Sequence, residues 1–438
     1  MKKNYRKMAG GILLFSLSCL LLPAFTKNER AAPDHFACPT PEKACIFKTF
    51  LGLESFDTSA VIYNRALVES ALSKGLVWIA NAQLENGGWG AGTHYHQEIR
   101  DPHAVPADPA TTALVSMALL RNGNTLIKGK YSDNLKKALN FLLEAVENTP
   151  DQNRFITDLT GTQPQIKLGK NIDAILTMQF FTNILSKMQK RDCTCKERIE
   201  KALNKCVLKI QQAQDNDGGW KDGGWAPVLQ SALANNALES ARDLGAGVDD
   251  KVLEKSRTYQ KNNFDLKTNS GITGKAAGVL LYSVSGSARA SAKEAQLADV
   301  VVKKAKTEGR LKQDAPVSAE NLERAGMSRT EAEKYATAYK IRGAAAARAQ
   351  DGDVVDGFGS NGGEEYLSYL MTGESLIIGQ DNSWKTWFEK MAGRMVQIQN
   401  NDGSWQGHHC ITSPVFCTAT CLLILSIDKD IDFLVKVK

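Results

Sequence analysis

The chain has 438 residues and a formal net charge of +6, with 43% hydrophobic and 23% charged residues, proportions that are typical of a globular protein. Acidic and basic residues alternate along the chain without forming a basic stripe, so the composition gives no support to a nucleic-acid-binding function. The length allows one large domain or two ordinary ones.

Residues 1–26 are predicted to be a secretory signal peptide. Four basic residues precede an almost entirely apolar stretch, Gly10 to Phe25, which is too short to span a membrane comfortably, and charge returns at Lys27. The alternatives are an uncleaved membrane anchor and lipid attachment at Cys19. No later segment has 18 uninterrupted apolar residues, so the sequence predicts no further membrane span. We therefore expect an exported protein, periplasmic or secreted, in which residues 27–59 are an N-terminal extension.

Eight cysteines follow the predicted signal peptide. An even number of cysteines in an exported chain makes disulfides the first expectation. Closeness in the chain favours pairing of Cys38 with Cys45 and of Cys410 with Cys417, although spacing alone does not decide the pairing.

A seven-residue motif occurs three times and is the strongest signal in the chain. It begins with Gln and ends with Trp, with Asn or Asp and then Gly between them, and we call its copies the Gln–Trp turns. They run from Gln83 to Trp89, from Gln214 to Trp220 and from Gln399 to Trp405. Each copy follows a segment with the apolar spacing of an amphipathic helix, and each precedes a helix that is apolar nearly all round.

The motif has a direct physical interpretation. Glycine after Asn or Asp ends the first helix with a left-handed turn, the indole packs against the helix ends, and the amide can hold backbone groups. A helix that is apolar all round needs neighbours on every side. Each unit is therefore predicted to be a hairpin with an amphipathic outer helix and a buried inner helix.

Three weaker copies are predicted in the gaps, which brings the total to six hairpins. They are helix 135–146 followed by 171–185, Gln260 followed by 274–284, and Gln350 followed by 363–378. Six such units can close into a ring, with the inner helices around a central cavity.

The Gln–Trp turns and the inner helices that follow them resemble the repeats of squalene and terpenoid cyclases and of protein prenyltransferase β-subunits. The resemblance covers about residues 60–428 and leaves 429–438 as a C-terminal tail. It implies an all-α fold, an α/α toroid of about six helical hairpins. It says less about activity, because this ring hosts unrelated functions.

Residues 286–345 do not fit the repeat pattern. They are rich in Ala, Lys, Glu and Arg and contain no Trp or Phe. We expect a charged helical insertion, which is either a solvated excursion or a lid or surface for a protein partner.

The amino ends of the inner helices should gather at one rim of the ring, where helix dipoles and free N–H groups favour anions. Polar residues that open these helices are the candidates for a ligand-binding rim. They are Asp108, Lys170, Asn171, Asp173 and Lys275.

The acidic motifs of the two classes of terpenoid cyclase, Asp-x-Asp-Asp and Asp-Asp-x-x-Asp, are absent. Glu364 and Glu365 open a polar inner helix and are the candidates for a catalytic acid or base. The alternative is that both carboxylates only complement the helix dipole.

Histidines follow the first and the last Gln–Trp turn, at His94, His96, His408 and His409. Closure of the ring would bring these loops together, and histidine with cysteine suits zinc, so zinc is the candidate cofactor. The alternatives are exposed loop histidines, with Cys410 in a disulfide, and a role in proton transfer.

Three functions remain open at this point. The first is a cyclase-like or prenyltransferase-like protein that holds an apolar or isoprenoid-type ligand or lipid in its cavity, without standard class I or class II cyclase chemistry. The second is a non-enzymatic periplasmic interaction module. The third is a carbohydrate-active lyase or hydrolase on the same fold.

Overall fold

The structure is a computed structural model that describes residues 64–188, 193–357 and 360–435. The predicted signal peptide, the N-terminal extension and the pair Cys38 and Cys45 lie outside these residues. The described part is mostly helical with very little strand, which confirms the all-α fold class.

The helices are, in chain order, α1 (Arg65–Asn81), α2 (Pro109–Arg121), α3 (Ser132–Glu147), α4 (Gln163–Lys167), α5 (Ile172–Lys187), α6 (Cys193–Gln212), α7 (Pro227–Asp243), α8 (Asp250–Lys261), α9 (Leu280–Thr307), α10 (Ala319–Arg324), α11 (Arg329–Arg348), α12 (Gly352–Val355), α13 (Gly363–Ile378), α14 (Trp384–Ile398), α15 (Pro414–Leu425) and α16 (Ile431–Leu434). Two 3₁₀ turns, His94–His96 and Ile427–Asp430, and one short antiparallel pair, β1 (Phe264–Asp265) with β2 (Ser270–Gly271), complete the described elements.

Burial separates the long helices into two kinds. Every residue of α2 and α15 is buried, whereas α3 buries one face. The buried residues of α3 recur every three or four positions and are Leu135, Ala138, Leu139, Leu142, Leu143 and Val146. This spacing is that of an amphipathic surface helix, while a fully buried helix must be packed on all sides. The predicted distinction between inner and outer helices is therefore present.

The buried helices contact one another in a closed cycle. Helix α2 packs against α5, α5 against α7, α7 against α9, α9 against α13, α13 against α15, and α15 against α2. Each member of this cycle also contacts a further helix. Helix α15 packs against α1, α2 against α3, α5 against α6, α7 against α8, α9 against α11, and α13 against α14. Helices are therefore present at all six positions where helix pairs were predicted. The predicted start of one inner helix differs, because α9 begins at Leu280 and residues 274–279 do not belong to it.

The three Gln–Trp turns make the same contacts. The indole N–H of Trp89, Trp220 and Trp405 donates to the carbonyl of Ile79, Ile210 and Met395, over 2.8, 2.9 and 2.8 Å. All three rings are fully buried. Each glutamine amide donates to a carbonyl of its own turn and to one in the next outer helix. The motif therefore joins neighbouring hairpins and satisfies carbonyls that would otherwise be orphaned at a helix end.

The expectation of a solvated insertion at 286–345 is wrong for its first part. Most residues of α9 from Leu281 to Ala298 are buried, because this stretch contacts α7, α8 and α13. The later residues form a small separate core between α9, α10 and α11, which includes Val302, Leu322 and Ala336. Alanine and serine conceal the buried role of α9 in the sequence, because their short side chains allow close helix packing without a strongly apolar pattern.

The predicted disulfide between Cys410 and Cys417 is not formed. The Cys410 thiol hydrogen-bonds to the carboxyl of Glu364, and the Cys417 thiol donates to the carbonyl of Ile411 over 3.5 Å. These contacts direct the two thiols to different partners. None of the described helices combines the length and the apolar character needed to cross a membrane.

Candidate metal centre

Glu364 and Glu365 lie in the first turn of α13, and both are buried. Glu365 accepts two hydrogen bonds, from the backbone N–H of Gly362 over 2.7 Å and from the hydroxyl of Tyr282 over 2.6 Å. The first of these bonds satisfies a backbone donor at the start of the helix. The second ties α13 to α9 and fixes the orientation of the carboxyl group.

The loop 407–412 lies against the start of α13. The N–H of His408 donates to the carbonyl of Asn361 over 2.7 Å, and the N–H of Gly363 donates to the carbonyl of Ile411 over 2.9 Å. The N–H of Ile411 also donates to Glu364 Oε2 over 3.3 Å. The loop that follows the last Gln–Trp turn is thus held directly over the two glutamates.

This loop brings a histidine and a cysteine to the carboxylates. His409 Nδ1 lies 3.8 Å from Glu364 Oε1, and His409 Nε2 lies 4.0 Å from Glu365 Oε1 and 2.8 Å from the carbonyl oxygen of Ser360. One donor atom each of Glu364, His409 and Cys410 lies within 4.8 Å of the other two. Among the described residues, Glu364, His409 and Cys410 thus form a group of three potential metal ligands, which we call the rim cluster.

The backbone around the rim cluster is unusual. Cys410 has a φ of 57°, a left-handed conformation that residues with a side chain rarely adopt. A Cβ atom on Gly362 would lie 2.6 Å from both Glu364 Oε2 and the carbonyl oxygen of His409. Strained backbone of this kind persists where the surrounding structure requires it and is concentrated at functional sites.

Negative charge without a nearby cation is unfavourable in the rim cluster. Burial raises the pKa of Glu364. Burial, followed by the nearby charge of Glu364, raises the pKa of Glu365 well above its usual range. Burial and Glu364 also raise the pKa of the Cys410 thiol. Three acidic groups that each resist ionisation are thereby held together, and a bound cation would relieve both the burial cost and the mutual repulsion.

The histidines predicted to bind zinc are not brought together as a group. His96 Nδ1 lies 3.1 Å from Glu98 Oε1 on the surface, and His408 is exposed. His94 lies beside Trp225, with ring centroids 6.4 Å apart. Only His409 of the predicted four belongs to the rim cluster, and Glu364 and Cys410 take the place of the other three.

The predicted ligand-binding rim is largely occupied by internal contacts. Asp108 caps α2 by accepting from the N–H of Thr111, and Asp173 accepts from the N–H of Ala110, which opens the same helix. Burial raises the pKa of Asp108 to about 6, and burial with the charge of Asp108 raises the pKa of Asp173 to about 7. Both carboxyl groups are fully enclosed, so they act within the fold.

The other three rim residues have separate positions. Asn171 is buried and donates to Asp222 over 2.6 Å, and Lys275 pairs with Asp217 over 3.0 Å. Lys170 is exposed. The structure therefore does not gather the five predicted residues into one anion site.

No family model matches the chain, and no curated protein matches its sequence.

The sequence did not indicate Tyr282, and Cys410 was considered beside the histidines but was not among the predicted metal ligands. Tyr282 is an ordinary tyrosine in the sequence, and only the packing of α9 against α13 brings it to Glu365. Cys410 could have been predicted as a metal ligand, because it directly follows His409 in a loop already predicted to hold metal ligands. Cys410 was instead expected to form a disulfide.

Proposed function

We propose that the described helices form an α/α toroid of the kind implied by the resemblance to cyclase and prenyltransferase repeats. The closed cycle of contacts among α2, α5, α7, α9, α13 and α15 supports this arrangement. So does the hydrogen bond from Gln399 to Ala71, which joins the last Gln–Trp turn to the first described helix. In this arrangement Glu364, at the start of α13, lies at the amino-terminal rim of the ring.

We propose further that the protein is an exported, zinc-dependent enzyme whose metal is held at the rim cluster. The observation that carries this proposal is the convergence of a carboxylate, an imidazole and a thiol within 4.8 Å. Zinc takes these three donor types, and three protein ligands with one open position are characteristic of catalytic rather than structural zinc sites. Donor atoms in a tetrahedral zinc site are about 3.3 Å apart, as its bond lengths require, and His409 Nδ1 is 3.8 Å from Glu364 Oε1.

A zinc ion at this position would supply Lewis-acid chemistry to a substrate or water at its open position. Glu365 is placed to accept a proton beside the metal ligands, because its carboxyl lies 4.0 Å from His409 and is oriented by Tyr282 and Gly362. The reaction class that this arrangement supports best is metal-assisted hydrolysis or group transfer.

The rim cluster has stronger support than a large ligand held in the centre of the ring. The cavity between the buried helices has a volume of about 70 Å³. Small-molecule sites usually have volumes of about 300–1,000 Å³, so this cavity as it stands is too small for an isoprenoid-type ligand. The absence of both cyclase motifs also favours a different chemistry.

Metal titration tests the zinc proposal. The purified protein should bind one Zn²⁺, and Co²⁺ substituted for it should give the near-ultraviolet charge-transfer band of a cobalt–thiolate bond. Cys410→Ser should abolish that band and weaken Zn²⁺ binding about 100-fold or more, since loss of a ligand should exceed the 10- to 100-fold cost of losing a neighbouring partner.

Matched variants separate this effect from general damage to the fold. Cys206→Ala removes a buried thiol on α6 and should leave the band and the affinity unchanged, and Glu365→Gln should retain the metal. The zinc proposal is wrong if less than about one-tenth of an equivalent of Zn²⁺ binds, or if Cys206→Ala weakens binding as much as Cys410→Ser does.

A further inference from the structure

The cavity between the buried helices is lined by all six of them. Its walls include Leu114, Leu176, Leu233, Arg289, Leu370 and Leu423, one residue from each helix. The lining residues of α2, α5, α7 and α13 fall in the middle and final turns of these helices. The cavity is therefore displaced towards the carboxyl ends of the helices, away from the rim cluster.

Its lining changes from apolar to charged along the helices. Leu114 and Leu367 lie nearer the amino ends of α2 and α13, whereas Arg121 and Glu374 lie one to two turns further along the same helices. Arg121 and Arg289 are buried and both contact Glu374. The cavity thus has an apolar inner part and an ionic outer end.

The C-terminal segment, residues 427–435, covers this ionic end. Phe433 and Leu434 line the cavity directly. Lys293 Nζ donates to the carbonyl of Leu434 over 2.9 Å, and Gln296 Nε2 donates to the carbonyl of Val435 over 2.8 Å. Few hydrogen bonds of its own hold the segment, because α16 is only one helical turn long.

Asp430 supplies the charge of the C-terminal segment. Arg121 Nε lies 2.7 Å from Asp430 Oδ2, and Lys187 Nζ lies 3.2 Å from Asp430 Oδ1, so each carboxylate oxygen has its own cation. Asp430 is buried, yet these two charges lower its pKa. The segment therefore presents an ionised carboxylate to two cations and, three and four residues later, two large apolar side chains to the cavity.

We propose that this end of the ring is a binding site for an amphiphilic anion, a carboxylate or phosphate head on one hydrocarbon chain, and that residues 427–435 occupy it in the absence of that ligand. The head replaces the Asp430 carboxylate between Arg121 and Lys187, and the chain replaces Phe433 and Leu434 against the leucine walls. Departure of these two side chains enlarges the cavity from about 70 Å³ and removes the restriction on ligand size.

The wall of the cavity contains a buried polar atom without a hydrogen-bond partner among the described residues. Asn236 is buried and lines the cavity, and its Oδ1 accepts no hydrogen bond from any residue that the structure describes. A buried amide without a partner costs free energy. A water molecule that accompanies the head group would donate the missing hydrogen bond to this oxygen.

Hydrogen exchange on the full-length protein tests displacement directly. Dodecyl phosphate and dodecanoate are the anionic probes, and dodecanol and dodecyltrimethylammonium are the neutral and cationic controls. The anions should bind and accelerate amide exchange in residues 431–435, where Val435 N–H is bonded to the Ile431 carbonyl. The two anions together distinguish a carboxylate from a phosphate head.

A variant pair tests the competition between segment and ligand. Asp430→Asn should bind dodecyl phosphate about 10-fold more tightly than the parent, because the internal competitor loses its charge. Asp428→Asn is the matched control, since Asp428 is exposed in the same short segment, and it should change nothing.

The proposal is overturned if dodecanol binds as tightly as the anions, if bound anion leaves exchange in residues 431–435 unchanged, or if Asp430→Asn binds no more tightly than Asp428→Asn. Zinc content should be the same in all these samples. Failure here is therefore distinguishable from failure of the rim-cluster proposal.

Discussion

Gln399 donates a hydrogen bond from Nε2 to the backbone carbonyl of Ala71, 328 positions earlier in the chain, over 2.9 Å. The same amide nitrogen lies 2.9 Å from the carbonyl of Gly403 in its own turn. Gln83 and Gln214 make the equivalent pair of bonds, one to a carbonyl of their own turn and one to a carbonyl in the outer helix that follows. One local motif thus holds successive hairpins together and also joins the last hairpin to the first.

Replacement of Gln399 should be costly for this reason. Gln399→Ala leaves the buried carbonyl of Gly403 without its donor and removes the bond to Ala71, whose carbonyl keeps its place in the hydrogen bonding of α1. We expect the free energy of unfolding to fall by about 1–3 kcal/mol. Urea unfolding followed by circular dichroism measures the change. Gln397→Ala, a change to a partly exposed residue on α14, should alter it by no more than about 0.5 kcal/mol. Equal losses in the two variants would contradict a specific role for Gln399.

The indole N–H of the Gln–Trp turns can be tested separately from the ring. Trp405→Phe keeps a buried aromatic ring but removes the bond to the Met395 carbonyl. We expect a loss of about 1–3 kcal/mol from that unsatisfied carbonyl, against about 3–5 kcal/mol for Trp405→Ala. Trp225→Phe is the control, because Trp225 is 59% exposed. If Trp405→Phe unfolds at the same urea concentration as the parent, the indole N–H has no role in stability.

Asp108 and Asp173 should make stability depend on pH. Their pKa values in the folded protein, about 6 and about 7, lie above the ordinary value of 3.8. The folded state therefore binds protons more tightly than the unfolded state, so this pair contributes full stability below about pH 4 and loses it as the pH rises towards 7. Asp173→Asn should remove roughly 2–4 kcal/mol of that decline, at 1.36 kcal/mol per pKa unit.

Unfolding free energies of parent and Asp173→Asn, measured between pH 4 and pH 7, provide the comparison. The unfolding free energy of the parent should fall more steeply with rising pH than that of the variant, so the variant gains stability relative to the parent towards pH 7. Asp158→Asn, at an exposed position, should run parallel to the parent. A parallel course for Asp173→Asn as well would show that the buried pair does not titrate in this window.

If zinc binds at the rim cluster as proposed, the close approach of α13 to the loop 407–412 should affect its binding even when Glu364, His409 and Cys410 all remain. A Cβ atom on Gly363 would lie 2.7 Å from the ring of Phe416 and 2.8 Å from Ile411 Cγ2. Gly363→Ala should therefore shift the loop that holds His409 and Cys410 and weaken Zn²⁺ binding about 10-fold, as loss of a supporting group usually does. Gly274→Ala has open space around its Cβ and should leave Zn²⁺ affinity unchanged. Isothermal titration measures both, and an unchanged affinity for Gly363→Ala would contradict the tight-packing argument.

Much of the helical organisation was predictable because its causes are local. The outer helix α3 shows its apolar stripe in the sequence, and the end of α1 is marked by the turn that leads to Trp89. The buried part of α9 was not recognised, because its small side chains give a weak apolar pattern that close packing with α7 and α13 converts into a core. Glu364 and His409 were both predicted as site residues, but in separate sites.

Local sequence patterns were enough to predict where most of the long helices lie and which of them are apolar all round. Those features depend on residues within a few positions of one another, and the Gln–Trp turns are a clear instance. Which distant side chains lie together depends on how the helices pack in the folded chain. Tyr282 and Glu365 are 83 positions apart, and Asp430 reaches Arg121 across 309 positions. Such contacts depend on the order in which helices pack, which no local spacing encodes, and so the rim cluster and the C-terminal segment became visible only in the folded chain.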